Sequence, residues 1–333
     1  MSAATHKLVI IGLGTAGLTH VRALEQLPGL AVLAGVDTHP DRSRPLIFNQ
    51  AAVPVHTELM DAGCYDPDIV VVATPTRTHA TVCQEVGEHF PNAAVLLEKP
   101  AADSLPTARS LLKGKQDIYV AMHMAFSPEV TWSVRLAKEK AASFGPPVAI
   151  RSIHTDAYHA DHTAESRLSN SWVDSGINAL SVIDQFARMA DRRSLRRLGK
   201  PTWSKFEGIF TCEAKGGQAE AMVVTSWKGA AAGRSTHIKY ASGAELFMDH
   251  NTVEAYAVDN KGRLIRDFSD DSDDSDAPRR ERHYRALYRS WLFESRPQLI
   301  ADSLRLHELL LKPEAAPDIP LLSRGQGRQS ASR

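Results

Sequence analysis

Near the N-terminus an apolar run, Lys7-Leu8-Val9-Ile10-Ile11, breaks into Gly12-Leu13-Gly14-Thr15-Ala16-Gly17. No other stretch narrows the choice of fold as far. The run is apolar without alternation, which suits a central parallel strand buried on both faces. The glycines divide three tasks. Gly12 permits a tight turn, Gly14 lets backbone approach a pyrophosphate, and Gly17 lets the next helix pack closely on the sheet. That helix, opening at Thr15 and Ala16, offers unpaired N–H groups and a partial positive charge to the phosphates. About twenty residues on, the second strand ends at Asp37, placed to accept hydrogen bonds from both adenosine ribose hydroxyls and to repel a 2′-phosphate. These features predict a dinucleotide site for NAD, and Arg42 and Arg44 stand near enough to leave NADP open.

The alternation of strand and helix continues through residue 123. Strands are expected at 7–11, 30–36, 53–56, 68–73, 94–97 and 118–122, and helices at 15–27, 40–52, 78–89 and 104–113. This order predicts an α/β Rossmann domain, a doubly wound parallel sheet, over residues 1–123. After about residue 145 the pattern changes to strands at 148–153, 206–214, 219–227, 235–240, 245–248 and 252–258, with turn signals at Lys215-Gly216-Gly217 and Asn260-Lys261-Gly262. Helices at 174–189 and 282–294 accompany them. Residues 124–312 therefore read as an α+β domain with an open, mostly antiparallel sheet, for substrate binding and oligomerisation. The acidic, serine-rich run 269–276 reads as a solvated loop, and 313–333 as a flexible tail.

Composition removes several classes of function. Thirty-nine Lys and Arg balance 39 Asp and Glu in 333 residues, so nothing draws the chain to nucleic acid or a membrane surface. No apolar run reaches membrane-spanning length and the N-terminus lacks a signal-peptide core, so a cytoplasmic location is expected. Cys64, Cys83 and Cys212 match no ligand spacing and read as buried small hydrophobes. His154, Asp156, Tyr158, His159, Asp161 and His162 form a polar cluster that fits no standard metal set, so a substrate-binding or mobile loop is expected there and no metal.

Glu98-Lys99-Pro100 ends the fifth strand, on the side where open α/β sheets bind ligands. With the turn at 12–17, this motif resembles the superfamily of glucose–fructose oxidoreductase, inositol dehydrogenase and MocA-type proteins. Thr74-Pro75, His79 and His20 match the same superfamily. The resemblance implies an NAD(P)-dependent oxidoreductase, with Thr74, Pro75, His79, Glu98 and Lys99 on the cofactor side. In that superfamily a helix of the second domain carries an Asp and a His four residues apart, with a further Asp beyond. Here Asn178 stands where the His is expected after Asp174, and Ser181 where the further Asp is. This variant resembles the branch of bacterial L-arabinose and D-galactose 1-dehydrogenases, as do His123, Trp227 and the stretch 301–304. The branch implies hydride leaving C1 of an aldose to give a lactone. An inositol, aminocyclitol or nucleotide-sugar dehydrogenase acting at another carbon is the alternative within enzymology; a nicotinamide-binding regulator without turnover is the alternative outside it.

The residues carry a reading of their own. Asp174, Asn178, Ser181 and Gln185 fall on one helix face, and Ile177, Leu180, Ile183 and Ala187 on the opposite one. Periodicity alone would turn the polar stripe to solvent; the resemblance turns it to a site. Oxidising an alcohol needs a group to take the hydroxyl proton. Asn178 cannot titrate and can only orient substrate, so Lys99, Asp174 and His123 are the candidate bases. His123 and Trp227 join Lys99, Asp174 and Asn178 as candidate contacts to a small sugar or cyclitol. Trp172 and Trp227 read equally as sugar-stacking faces or as core. Pairing of the open sheet faces by two-fold symmetry predicts a homodimer or homotetramer.

Overall fold

The computed structural model describes residues 6–40, 45–157, 170–189, 195–270, 276–293 and 299–311. The first eight strands are β1 (His6–Ile11), β2 (Leu30–Val36), β3 (Ile47–Phe48), β4 (Ala51–Ala52), β5 (Val55–His56), β6 (Ile69–Val72), β7 (Ala94–Leu97) and β8 (Ile118–Val120). Six of them form one parallel sheet in the order β5-β2-β1-β6-β7-β8. The order reverses between β1 and β6, which opens the crevice where doubly wound sheets bind ligands. Leu8, Val9 and Ile10 are fully buried, as are Val70, Val71 and Val72, so the unalternating apolar runs do mark strands covered on both faces.

The second sheet contains β9 (Pro147–Ala157), β10 (Arg188–Met189), β11 (Arg196–Arg197), β12 (Lys205–Ala214), β13 (Gly217–Ser226), β14 (Lys228–Tyr240), β15 (Glu245–Asp249), β16 (Glu254–Val258) and β17 (Leu264–Ser269). Its order is β10-β12-β13-β9-β14-β15-β16-β17, with β11 also on β12. Every pairing is antiparallel except that of β13 with β9. Along β9, Ile150, Ser152, His154 and Asp156 face inward, while Val148 and Arg151 are exposed. Period-two alternation thus changes the inner face from apolar to polar toward the strand's carboxyl end.

One apolar cluster runs from Val9, Val72 and Leu97 of the first sheet through the Ile177–Ile183 helix to Ile150 and Phe210 of the second. A second cluster joins Leu8 and Ile10 to Tyr284, Leu287 and Tyr288 of the Arg279–Phe293 helix, which packs back on the Thr15–Leu24 helix. The two sheets are therefore held by shared core.

Four expectations are corrected. His154 and Asp156, expected in a loop, lie buried on β9, whose alternation continues to Ala157. In place of a helix at 40–52, Ile47–Phe48 and Ala51–Ala52 form a hairpin, turned by Asn49 and Gln50 at φ 49° and 66°. Positive φ at both central residues is the geometry of a tight hairpin turn, and it buries Phe48 without a helix. The helix expected at 174–189 stops at Ile183, because Arg188 and Met189 pair with Glu213 and Cys212 of β12. Cys64 is exposed, in the turn before β6, whereas Cys83 and Cys212 are buried. Arg42, Arg44, Tyr158, His159, Asp161, His162, most of the acidic run and the tail lie outside the described residues.

Candidate active site

The glycine turn has the geometry its spacing predicts. Gly12 sits at φ +88°, and a Cβ there would lie 2.7 Å from the Ala73 carbonyl oxygen. A Cβ on Gly17 would lie 1.8 Å from the Gly12 carbonyl oxygen, so only glycine allows the helix start to close on the strand end. Gly14 has nothing within 4 Å of that position and faces open space. It caps the Thr15–Leu24 helix without a side-chain bond, leaving first-turn N–H groups to an incoming anion. Asp37 braces the turn: Oδ2 accepts from the Leu13 N–H at 2.7 Å and Oδ1 from the His39 N–H at 2.8 Å. Each carboxylate oxygen keeps a lone pair for a ribose hydroxyl. This open cradle above Gly14, with an acceptor at the end of β2, fits a dinucleotide.

Thr74 and Pro75 follow β6 at the crevice. His79 is 1% exposed, with Nε2 2.9 Å from the Thr74 carbonyl oxygen and Nδ1 3.2 Å from that of Ala101. Burial lowers its pKa despite these carbonyls, so the ring is neutral and its one N–H donates to one of them, between the end of β6 and the segment after β7. Glu98 is also buried. Its Oε1 accepts from the Tyr284 hydroxyl and lies 3.0 Å from His20 Nε2, and His20 Nδ1 lies 2.7 Å from the Tyr288 hydroxyl. Oε2 accepts from the Lys99 N–H at 3.1 Å. Burial raises the Glu98 pKa, but bonds from His20 and Tyr284 and the Lys99 charge outweigh it, and the net shift is downward. Glu98 thus anchors the strand end to two helices by an ionised carboxylate.

Lys99 points the other way. Its Nζ donates to Asp174 Oδ1 at 3.0 Å and to the Asp174 carbonyl at 3.1 Å, with side chains 13% and 17% exposed. The carbonyl is available because Trp172–Gly176 is a π-helical turn, in which the ordinary ladder is displaced. Gly176 makes that turn possible: a Cβ there would lie 2.5 Å from the Trp172 ring. Asn178 follows one turn on, and its Oδ1 is buried without a partner. Ser181 is fully buried and donates to the Asn178 carbonyl at 2.7 Å, so it supports the helix instead of lining a cleft. His123, 7% exposed, stacks on Tyr284 at 4.7 Å, and its Nδ1 has no partner. Burial, then the Lys99 charge, holds its pKa well below the ordinary value, so the ring is neutral.

Both tryptophans are buried. Trp172 stacks on Phe206 at 4.0 Å and donates to the Leu310 carbonyl at 2.9 Å, which makes it core. Trp227, 1% exposed, meets Trp203 edge-on at 4.6 Å. Among the neighbours of the site, Asp156 belongs to the polar cluster read from sequence, whereas Ser175, Arg234 and His307 were not singled out. Ser175 donates to Asp156 Oδ2 at 3.1 Å, and Arg234 binds Asp156 Oδ1. His307 accepts the Ala101 N–H at 2.9 Å and contacts the Ser303 carbonyl at 3.0 Å, so the Ile300–Leu310 helix braces the chain just past Lys99. Burial holds the His307 pKa down at about 4. Pairs such as Tyr284 and Tyr288, four apart on one helix, were the available signal, but they look like any core stripe. Among the described residues no three His, Cys, Asp or Glu gather as a metal site, and no helix is long and apolar enough to cross a membrane.

Residues 6–123 match the model of the oxidoreductase family with an NAD-binding Rossmann fold. No curated protein matches the chain in sequence. Among solved structures, an Agrobacterium radiobacter oxidoreductase in complex with NAD+, L-tartaric acid and magnesium superposes with a TM-score of 0.72 at 16% identity, over 92% of this chain and 94% of that one. A myo-inositol dehydrogenase from Corynebacterium glutamicum gives 0.70 at 16%, over 92% and 94%. The scyllo-inositol dehydrogenase of Lactobacillus casei, with bound NAD(H) and scyllo-inositol, gives 0.69 at 17%, over 93% and 96%. Residues 6–123 thus match that oxidoreductase family in sequence, and the two domains together share the fold of these solved structures.

Proposed function

We propose that the chain oxidises a hydroxyl-bearing carbon of a sugar or cyclitol, with the Lys99–Asp174 pair handling the proton. The carrying observation is that pair's position just past the carboxyl end of β7, on the same edge of the sheet as the glycine turn. NAD, when bound through the turn at 12–17, Asp37 and the Thr74-Pro75 segment, supplies the hydride acceptor.

The ion pair separates the roles of its members. An ammonium held on a carboxylate has no lone pair to offer, so Lys99 positions and Asp174 accepts. Lys99 fixes Oδ1 and the Asp174 carbonyl, while Oδ2 takes no hydrogen bond from the described residues. The substrate hydroxyl gives its proton to Oδ2 as the C–H bond yields its hydride. Asn178, with an unpartnered Oδ1, holds a neighbouring hydroxyl. Likeness to two inositol dehydrogenases supports a polyol substrate, and the Asp174, Asn178, Ser181 pattern supports C1 of an aldose, giving a lactone. The test is NADH formation across a panel of aldoses and cyclitols with NAD. Turnover of an aldose with lactone as product is expected. Failure of every member with NAD demonstrably bound would leave a cofactor-binding regulator as the reading.

A further inference from the structure

Arg279 opens the Arg279–Phe293 helix, is half-buried, and makes no hydrogen bond or ion pair with any described residue. The carboxylates near enough to act on its charge are already held. Asp156 binds Arg234 and Ser175; Glu129 is bonded by Ser127 at 2.6 Å and meets His250 at 2.7 Å. Burial, with Arg234 and Arg280 adding like charge, lowers the Arg279 pKa to about 10. A guanidinium in this position loses hydration, and the carboxylates that act on it are bonded to other groups, an arrangement that a bound anion relieves.

Two buried histidines bear on the same space. His154, fully buried on β9, has neither ring nitrogen bonded, and His123 has an unpartnered Nδ1. His154 lies in register opposite Arg234, and two residues along β9 stands Asp156, bonded to Ser175 beside the catalytic pair. His123 lies 6.0 Å from His283, one helical turn from Arg279. Lys99 and Arg279 both depress the pKa of each ring, so both cations lie near both histidines. Unpartnered nitrogens and a cation with no hydrogen bond or ion pair among the described residues thus converge between Lys99 and the start of the helix.

We infer that the substrate carries an anionic group, a carboxylate or a phosphate, with Arg279 as its counter-charge and His123 and His154 as hydrogen-bond partners. This inference rests on the dehydrogenase reading for the substrate's polyol part, but the subsite binds its anion whether or not turnover follows. A planar guanidinium suits either anion through paired N–H donors.

The experiment is calorimetric titration of the full chain, saturated with NADH, against matched sets: neutral aldoses, their uronates and aldonates, and their 6-phosphates. The expected result is that one anionic class binds more tightly than its neutral parent by about tenfold or more, the scale of one charge-assisted contact. Comparing uronates with phosphates identifies the group. In Arg279→Gln that preference should collapse while affinity for the neutral parent is unchanged, and Arg279→Lys should restore part of it. Equal binding of neutral and anionic members, no binding of any anionic member, or a preference that survives Arg279→Gln would each overturn the inference. NADH formation on the same panel is read separately. An anion preference without turnover counts against the dehydrogenase reading alone, and turnover of neutral sugars independent of Arg279 counts against the anionic subsite alone.

Discussion

At the scale of single residues, the site rests on what each polar atom is already bonded to. Glu98 and His79 are committed to protein partners, whereas Asp174 Oδ2 and Asn178 Oδ1 are not. Asn178→Ala should therefore lower kcat less than loss of Lys99 or Asp174, because it removes orientation and no proton transfer. Lys99→Met should lower kcat by about 10²–10⁴-fold. Steady-state rates on whichever substrate turns over check both, and an Asn178 variant slower than Lys99→Met would reverse the assigned roles. Asp37 supports a second expectation. NAD should bind more tightly than NADP, and Asp37→Ala should narrow that gap while also loosening the turn that Leu13 anchors. Fluorescence titration of both cofactors decides it, since equal affinity in the wild-type chain is incompatible with this role.

At the scale of elements, the active edge is held by helices from the far end of the chain. Tyr284 and Tyr288 reach Glu98 and His20, and His307 takes the Ala101 N–H. His307→Leu leaves that buried N–H unpaired, so a stability loss of about 1–3 kcal/mol is expected, together with a lower kcat from a loosened Lys99. Denaturant unfolding measures the first effect, and an unchanged midpoint would mean the brace carries no strain-bearing role. These long-range ties explain what the sequence made legible and what it did not. Strand β1, the glycine turn and the Glu98-Lys99-Pro100 end of β7 are local patterns, and each was readable. Placing Asp174 opposite Lys99 needed the family resemblance, because periodicity alone would have turned its stripe to solvent. The π-turn at Trp172–Gly176 and the hairpin at 47–52 were not legible, since each depends on packing that no local spacing encodes. Arg279 sits in a charge-rich stretch, Arg279-Arg280-Glu281-Arg282, where nothing in the sequence marks the half-buried cation that makes no hydrogen bond or ion pair with the described residues.

At the scale of the whole molecule, buried neutral histidines couple stability to pH. His79, His123, His154, His283 and His307 all have pKa values pushed below 6.5, first by burial, with His283 at about 3. Below pH 6.5 the unfolded chain binds protons that the folded chain refuses, so stability is present above that value and lost as pH falls, by up to about 1.4 kcal/mol per unit for each ring. A denaturation midpoint at pH 5 equal to that at pH 7.5 would contradict their neutrality. The open face of the second sheet carries Ile153, Ile209, Met222, Val224, Phe247 and Tyr256, half-buried or exposed. Two-fold pairing of such faces is expected to give a dimer or tetramer. Light scattering showing only a 36.5 kDa species at micromolar concentration would rule that out. Asp174→Asn bears on whether Asp174, held by Lys99, takes the substrate proton. The amide keeps the shape of the side chain and cannot accept the proton, so kcat should fall by about 10²–10⁴-fold, while NAD affinity measured by fluorescence stays the same. Wild-type kcat in Asp174→Asn would contradict that role.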